Sequence, residues 1–314
     1  MIQSVAILGA GAVGSYVIWG LSGQKDLKLS VVAEGQRNQK LKEKGCRING
    51  KIYYPEVLTS KQAHGVDLLI VCLKYNTLEN VLDMISNVVD KHTIVMSLMN
   101  GIDSEDIIAS RIGEEHIVHS LIKVASHKEE DEYVFDAEST IGIVFGEPKR
   151  PKSVEEIENL FSKSLLHYRS TPYILEEIWS KFRLNVCNNL PQAILKAGVG
   201  CYADSEHMKF IQDGLRNELE TIAKAKGIDM AKADPSATRG SAVPKSARYS
   251  TLQDLDAKRH TEIDMFSGVL IQMGTELHIP TPYNEYTYHM IKAMEEKNDG
   301  LFDYENQTTK TCAK

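Results

Sequence analysis

The chain has 314 residues, 42% of them hydrophobic and 25% charged, which is more length than one core usually occupies, so two domains are expected. A formal net charge of −7 excludes the basic footprint that nucleic acid demands. No stretch approaches the roughly 20 apolar residues of a membrane span. The five cysteines, Cys46, Cys72, Cys187, Cys201 and Cys312, form no CxxC pair and no Cys/His cluster. They read as reduced thiols of a cytoplasmic protein that has no metal site.

In chain order, Ser4–Leu8 (SVAIL) reads as a buried strand and Gly14–Leu21 as the start of a helix. Leu27–Ala33 is a second strand, followed by the polar, helix-prone Gln36–Lys44. Val66–Leu73 (VDLLIVCL) is a continuous apolar run, the mark of a strand covered on both faces. Leu78–Val89 has helical spacing and Thr93–Leu98 is another strand. Ser104 is the expected N-cap of the next helix, with Glu105 and Asp106 in the first turn where the helix dipole favours them. Ile117–Val124 and Ser139–Phe145 complete the strand-rich half. Repeated β-α-β units of this kind predict an α/β fold built on a Rossmann-type doubly wound sheet. Past Thr171–Pro172 the pattern changes: Glu176–Lys196, His207–Lys226 and Thr261–Leu277 carry long helical periods. The expected division is a dinucleotide-binding Rossmann domain over 1–171 and an all-α substrate and catalytic domain over 172–314, with a polar, frayed end from Asn298.

Gly9-Ala10-Gly11-Ala12-Val13-Gly14 fits GxGxxG directly after a strand and at the mouth of a helix. The first glycine serves the tight turn, the second the approach of backbone to pyrophosphate, and the third close helix–strand packing. The free N–H groups of the helix start face the phosphates. The residue that selects the dinucleotide is ambivalent. Glu34, at the end of the second strand, suits a ribose 2′-hydroxyl and hence NAD. Arg37, close behind it with Asn38 and Lys40, suits the 2′-phosphate of NADP(H). The plainer reading of Arg37 is a solvated charge at a helix start.

In Trp179–Asn189 (WSKFRLNVCNN), Lys181, Asn185 and Asn189 fall at i, i+4 and i+8 and form one polar stripe on a helix. Trp179, Phe182, Val186 and Leu190 occupy the other faces and are predicted to pack inward. An ammonium can give a proton to a carbonyl oxygen while amides one and two turns away hold the substrate. The plainer alternative is a stripe facing solvent. Pro191 removes the N–H that Cys187 would bond, which predicts a kink or break there.

These residues together resemble the ketopantoate reductase family (2-dehydropantoate 2-reductases). The resemblance rests on GAGAVG at Gly9–Gly14, WxKFxxNxxxN at Trp179–Asn189, Leu73-Lys74 and Met99-Asn100-Gly101 at two strand ends, Ser250–Asp254, Lys258–Asp264, Gly268, and Ile279–Asn284. The blocks run in order across nearly the whole chain. The resemblance implies reduction of a small 2-keto acid, 2-dehydropantoate to (R)-pantoate, by hydride from NADPH, on the way to pantothenate. Lys181 would be the general acid. Asn100 would lie beside nicotinamide and substrate, Asn185 and Asn189 would hold the substrate, and Ser250 its carboxylate. Glu262 would anchor the nicotinamide end of the cofactor and Lys74 would lie along its ribose-phosphate. A homodimer is expected on the same ground, with no nucleic-acid or membrane partner. Taken singly, Asn100-Gly101 is also a turn pair, Ser250 an N-cap, and Glu262 a surface charge beside Lys258. Glu34 departs from the arginine common at that position in the family, and Thr251 from its methionine. The alternative is therefore an NAD-dependent D-2-hydroxyacid dehydrogenase acting on another branched or aromatic 2-keto acid. A non-catalytic cofactor-binding protein is a third reading, opposed by the intact set of polar residues.

Overall fold

The computed structural model describes residues 1–234, 243–302 and 304. It divides into two compact units, Met1–Ile178 and Trp179–Lys314. Cys312 lies outside the described residues, as does most of the polar end beyond Asn298; the other four cysteines are free.

The first unit opens with β1 (Ser4–Leu8), α1 (Ala12–Leu21), β2 (Lys28–Val32), α2 (Gly35–Lys44), β3 (Cys46–Ile48), β4 (Lys51–Tyr53) and β5 (Glu56–Leu58). It continues through β6 (Leu68–Val71), α3 (Leu78–Val88), β7 (Ile94–Ser97), α4 (Ser104–Ile112), β8 (His119–Lys123), β9 (Ser126–Glu129) and β10 (Glu132–Phe135). β11 (Gly142–Gly146), α5 (Pro151–Phe161) and β12 (Tyr168–Ser170) complete it. A five-stranded sheet in the order β5-β2-β1-β6-β7 has every neighbouring pair parallel. Side chains alternate across it: Val5 and Ile7 enter one core with Tyr16, Ile18 and Leu21, whereas Ala6 and Leu8 enter another with Ile85, Val88 and Ile108. Apolar runs without alternation, such as LLIV in β6, are what a sheet covered on both faces requires. The chain reverses its direction of travel across the sheet between β1 and β6, and this switch point is where a doubly wound sheet binds ligands.

Two expectations are corrected here. Beyond one parallel bridge from Ile117 to Val95 of β7, the segments read as closing strands do not extend the parallel sheet: β8 and β11 pair antiparallel, with β12 parallel to β11, in a three-stranded sheet. The chain between them forms the β9–β10 hairpin rather than a crossover helix, so the geometry that enforces parallel pairing is missing. Ser104 is the first residue of α4 and not its cap; Asp103 occupies the N-cap position. The Ser104 hydroxyl is committed elsewhere, 2.8 Å from Ser97 Oγ and 2.7 Å from Glu105 Oε2.

The second unit is helical. α6 (Ile174–Leu184) runs into it and continues as a π-helical turn at Asn185–Asn189 and then α7 (Leu190–Leu195). α8 (Cys201–Asp204), α9 (Glu206–Ala225) and α10 (Ser250–Asp256) follow. A second π-turn, Asp264–Gly268, leads into α11 (Val269–Leu277), and α12 (Pro282–Asn298) ends the described fold. As the pattern predicts, Trp179, Phe182, Val186 and Leu190 are buried. Buried carboxylates fix the helix starts. Glu218 accepts from the backbone N–H groups of Tyr283 and Asn284 and from the Asn284 amide, so Asn284 of the Ile279–Asn284 block is a structural residue. Among the described residues no helix is long and apolar enough to cross a membrane.

Candidate active site

The dinucleotide loop follows β1. Gly9 has φ +106°, and a Cβ there would stand 2.6 Å from the Cys72 carbonyl oxygen at the end of β6. A Cβ on Gly14 would stand 1.9 Å from the Gly9 carbonyl oxygen, so this glycine lets α1 close onto the loop. Gly11 behaves differently. It is the N-cap of α1, carries no side-chain cap, and a Cβ there would meet nothing within 4 Å. Space and open N–H groups at one helix start are what a pyrophosphate needs. Ala10 is buried, while Ala12 and Val13 begin α1. The residues present fit the diphosphate of a dinucleotide.

The same sheet edge carries the other expected residues of this unit. Glu34 is the N-cap residue of α2, and its Oε1 accepts from the Ser60 amide at 2.8 Å and the Ser60 hydroxyl at 2.9 Å. Arg37 is exposed in the first turn of α2, where the dipole disfavours a cation unless an anion is near. Asn38 is buried and donates to the Ala33 carbonyl, a structural role. Lys74 is exposed just beyond β6, and Asn100 precedes Gly101 (φ +98°) just beyond β7. Sequence reasoning missed a pair beside them: Tyr75 Oη donates to Asp103 Oδ2 at 2.5 Å, and Asp103 Oδ1 is buried without a partner. Burial holds the Asp103 carboxyl above the usual range although the tyrosine hydrogen bond opposes it. Neither residue has a motif signal, since the contact is made only by folding.

In the second unit Lys181, Asn185 and Asn189 lie along one continuous helix. Lys181 and Asn185 are half-buried and Asn189 is 7% exposed, so the stripe does not simply face solvent. In an ideal α-helix each step of four residues drifts about 40° around the axis. The wider π-turn takes back part of that drift between Asn185 and Asn189. Ser250 begins α10, whose cap residue is Tyr249, so it is not the N-cap that its local sequence suggests. Glu262 precedes the second π-turn, and its neighbour Thr261 is fixed through N–H and hydroxyl bonds of 2.7 Å each to Glu295. The two π-turns lie against each other, and the ring of Phe182, near the end of α6, stands 6.1 Å from that of Phe266 in the second turn. π-turns are rare and concentrate at functional positions.

A parallel sheet in Rossmann order, with a glycine loop built for a diphosphate and a helical unit carrying a lysine–asparagine stripe, defines a nicotinamide-dependent oxidoreductase. Models of the ketopantoate reductase PanE/ApbA family match residues 5–149, and its C-terminal model matches 173–295. The chain belongs to the ketopantoate reductase family. It is 26% identical over 302 residues to a 2-dehydropantoate 2-reductase of Pyrococcus horikoshii, covering 95% of this chain and 99% of that one. Its fold is similar to that of a PanE/ApbA family ketopantoate reductase from Ralstonia eutropha (TM-score 0.79, 21% identity, 94% and 99% covered). It is equally similar to D-mandelate dehydrogenase in a ternary structure with NADH and anilino(oxo)acetate (TM-score 0.78, 22% identity, 94% and 99% covered).

Proposed function

We propose that this chain reduces 2-dehydropantoate to pantoate with NADPH, with Lys181 as general acid. The observation that carries the reading is the Lys181-Asn185-Asn189 stripe, half-buried to buried on a helix whose π-turn spans the two asparagines. When bound, the reduced nicotinamide supplies a hydride to the keto carbon. The chain does the rest. The Lys181 ammonium gives its proton to the developing alkoxide, Asn185 and Asn189 orient the keto acid, and Ser250 holds its carboxylate. Asn100 and Glu262 fix the nicotinamide end, while Gly9–Gly14, Lys74 and Arg37 hold the phosphates. Assembly as a homodimer belongs to the same reading and is measured by sedimentation.

A second reading is favoured by one specific observation: Glu34, hydrogen-bonded to Ser60 just beyond β2, is an acceptor for a 2′-hydroxyl and a repulsive neighbour for a 2′-phosphate. It points to NADH and another 2-keto acid. Purified protein assayed with 2-dehydropantoate and a panel of branched and aromatic 2-keto acids, each with NADPH and NADH, decides. Turnover of 2-dehydropantoate with NADPH supports the first reading, and NADH-dependent turnover of other keto acids alone establishes the second. Inactivity with all of them removes both.

A further inference from the structure

The helix that carries the asparagines is open at the point where its backbone ladder should continue, and a side chain fills the opening. Pro191 offers no N–H, so the carbonyl of Cys187 loses its α-helical partner. One residue further on, the carbonyl of Asn188 and the N–H of Gln192 are four apart and would bond directly in an α-helix. Instead the Tyr202 hydroxyl stands between them: it donates to Asn188 O at 2.5 Å and accepts from Gln192 N at 3.0 Å. Gln192 is fully buried and passes the constraint on. Its Nε2 donates to the Ala247 carbonyl at 2.7 Å and its Oε1 accepts from the Tyr249 N–H at 3.0 Å, immediately before Ser250.

We propose that Tyr202 and Gln192 are positioning residues: the Tyr202 hydroxyl, inserted into the helix, holds the π-turn that presents Asn185 and Asn189, and Gln192 locks that turn to the segment bearing Ser250. This rests on the keto-acid reading of those residues. The physical case is one of geometry. A π-turn is a strained local form that persists when its freed backbone groups find partners, and one phenol serves two of them here, the Asn188 carbonyl and the Gln192 N–H. Burial holds the Tyr202 phenol far above its ordinary range, so it remains a neutral donor at any working pH. The Gln192 amide is used at both ends by the backbone that leads into α10, at Ala247 and at the cap residue Tyr249, which fixes the start of the helix on which Ser250 is the first residue. Both residues act through asparagine and serine placement.

The test is a KM-against-kcat comparison on the full chain. Tyr202→Phe keeps the ring and removes the bridge. It is expected to raise KM for the keto acid about 10-fold, the scale of a buried donor and acceptor left unpaired, with KM for the dinucleotide unchanged within about twofold. In an Asn189→Ala background the same change is expected to cost about twofold or less, because coupled positions are not additive. Equal losses for keto acid and dinucleotide, an unchanged keto-acid KM, or full additivity would overturn the proposal. Should Tyr202→Phe fail to accumulate as folded protein, Gln192→Met tested against Ser250→Ala reads the other half of the network by the same criteria. If the parent protein reduces no 2-keto acid, the reaction reading fails. Amide exchange then judges the insertion separately: Gln192 protection should fall at least about 10-fold in Tyr202→Phe, and equal protection would refute the bridge.

Discussion

At the scale of single residues the roles proposed for Lys181 and Glu34 are separated by what each side chain is tied to. Lys181 lies between the buried Trp179 and Phe182 on α6, so its backbone is held by packing whatever its ammonium does. Lys181→Ala should therefore leave the fold and dinucleotide binding intact while kcat falls by about 10²–10⁴, the usual worth of a positioned general acid. Stopped-flow turnover with fluorescence titration of the dinucleotide checks both halves, and a variant as fast as the parent removes Lys181 from the mechanism. The proposed choice between NADH and NADPH at Glu34 is electrostatic. The Glu34 carboxylate accepts two hydrogen bonds from Ser60 that favour this position, so a 2′-phosphate would sit against a negative charge. Glu34→Ser keeps a small polar group and leaves Arg37 in place. The ratio of kcat/KM for NADPH over NADH should rise about 10-fold, since one charge pair a few ångströms apart near a protein surface is worth about 1–4 kcal/mol. No change in that ratio would mean that neither Glu34 nor Arg37 reads the ribose.

At the scale of elements, the glycine loop makes opposite demands on residues of the same type. Gly14→Ala would put a methyl carbon 1.9 Å from the Gly9 carbonyl oxygen, backbone that cannot give way cheaply. It is expected to cost about 3 kcal/mol of stability. Gly11→Ala meets open space at a helix cap, so it should cost under about 1 kcal/mol yet weaken dinucleotide binding about 10-fold by filling the path to the pyrophosphate. Thermal unfolding and dinucleotide titration of the two variants test the contrast; equal losses of stability would show that the loop is merely a packing turn. This loop, like β1, β6 and β7, was legible because its chemistry is local. Period, glycine spacing and apolar runs need no tertiary partner. The helices around it were legible to different degrees. Glu176–Lys196 reads as one helix because its apolar positions are continuous, and Pro191 announces an interruption. The form of that interruption, a π-turn bridged by Tyr202, depends on a residue outside the segment. α12 is not legible: its buried face is Asn284, Thr287, Ile291 and Glu295, a stripe at helical spacing made mostly of polar side chains. Hydrophobic periodicity cannot see it, because those groups are buried on partners such as Glu218 and Thr261 that only the fold supplies. β9 and β12 are illegible for the related reason that short edge strands have no apolar run of their own.

At the scale of the whole molecule, the acid limb of stability should be governed in part by one carboxylate that ties the two central strands together. Asp67 Oδ2 accepts from the Gln3 N–H at 2.8 Å and from the Ser4 N–H and hydroxyl at 2.9 Å each, joining the start of β1 to the residue ahead of β6. Burial alone would push the Asp67 carboxyl up, but these bonds and the nearby His92 together outweigh it and hold the carboxyl below its ordinary range. The unfolded chain therefore binds this proton more readily than the native one. The resulting stability is present above the unfolded value, about pH 4, and is lost as pH falls through the lower native value. Asp67→Asn removes the charge but not the shape, so Tm of the parent should exceed that of the variant by a constant amount above about pH 5. The gap should narrow progressively below about pH 4 and close once the native carboxyl is protonated. Asp67 is partly open to water, so added salt should shrink the gap modestly at neutral pH. A gap that stays constant from pH 7 down to pH 3 would show that the carboxylate charge contributes nothing. The β1–β6 tie would then be a set of neutral hydrogen bonds, and acid unfolding would have to begin elsewhere in the sheet.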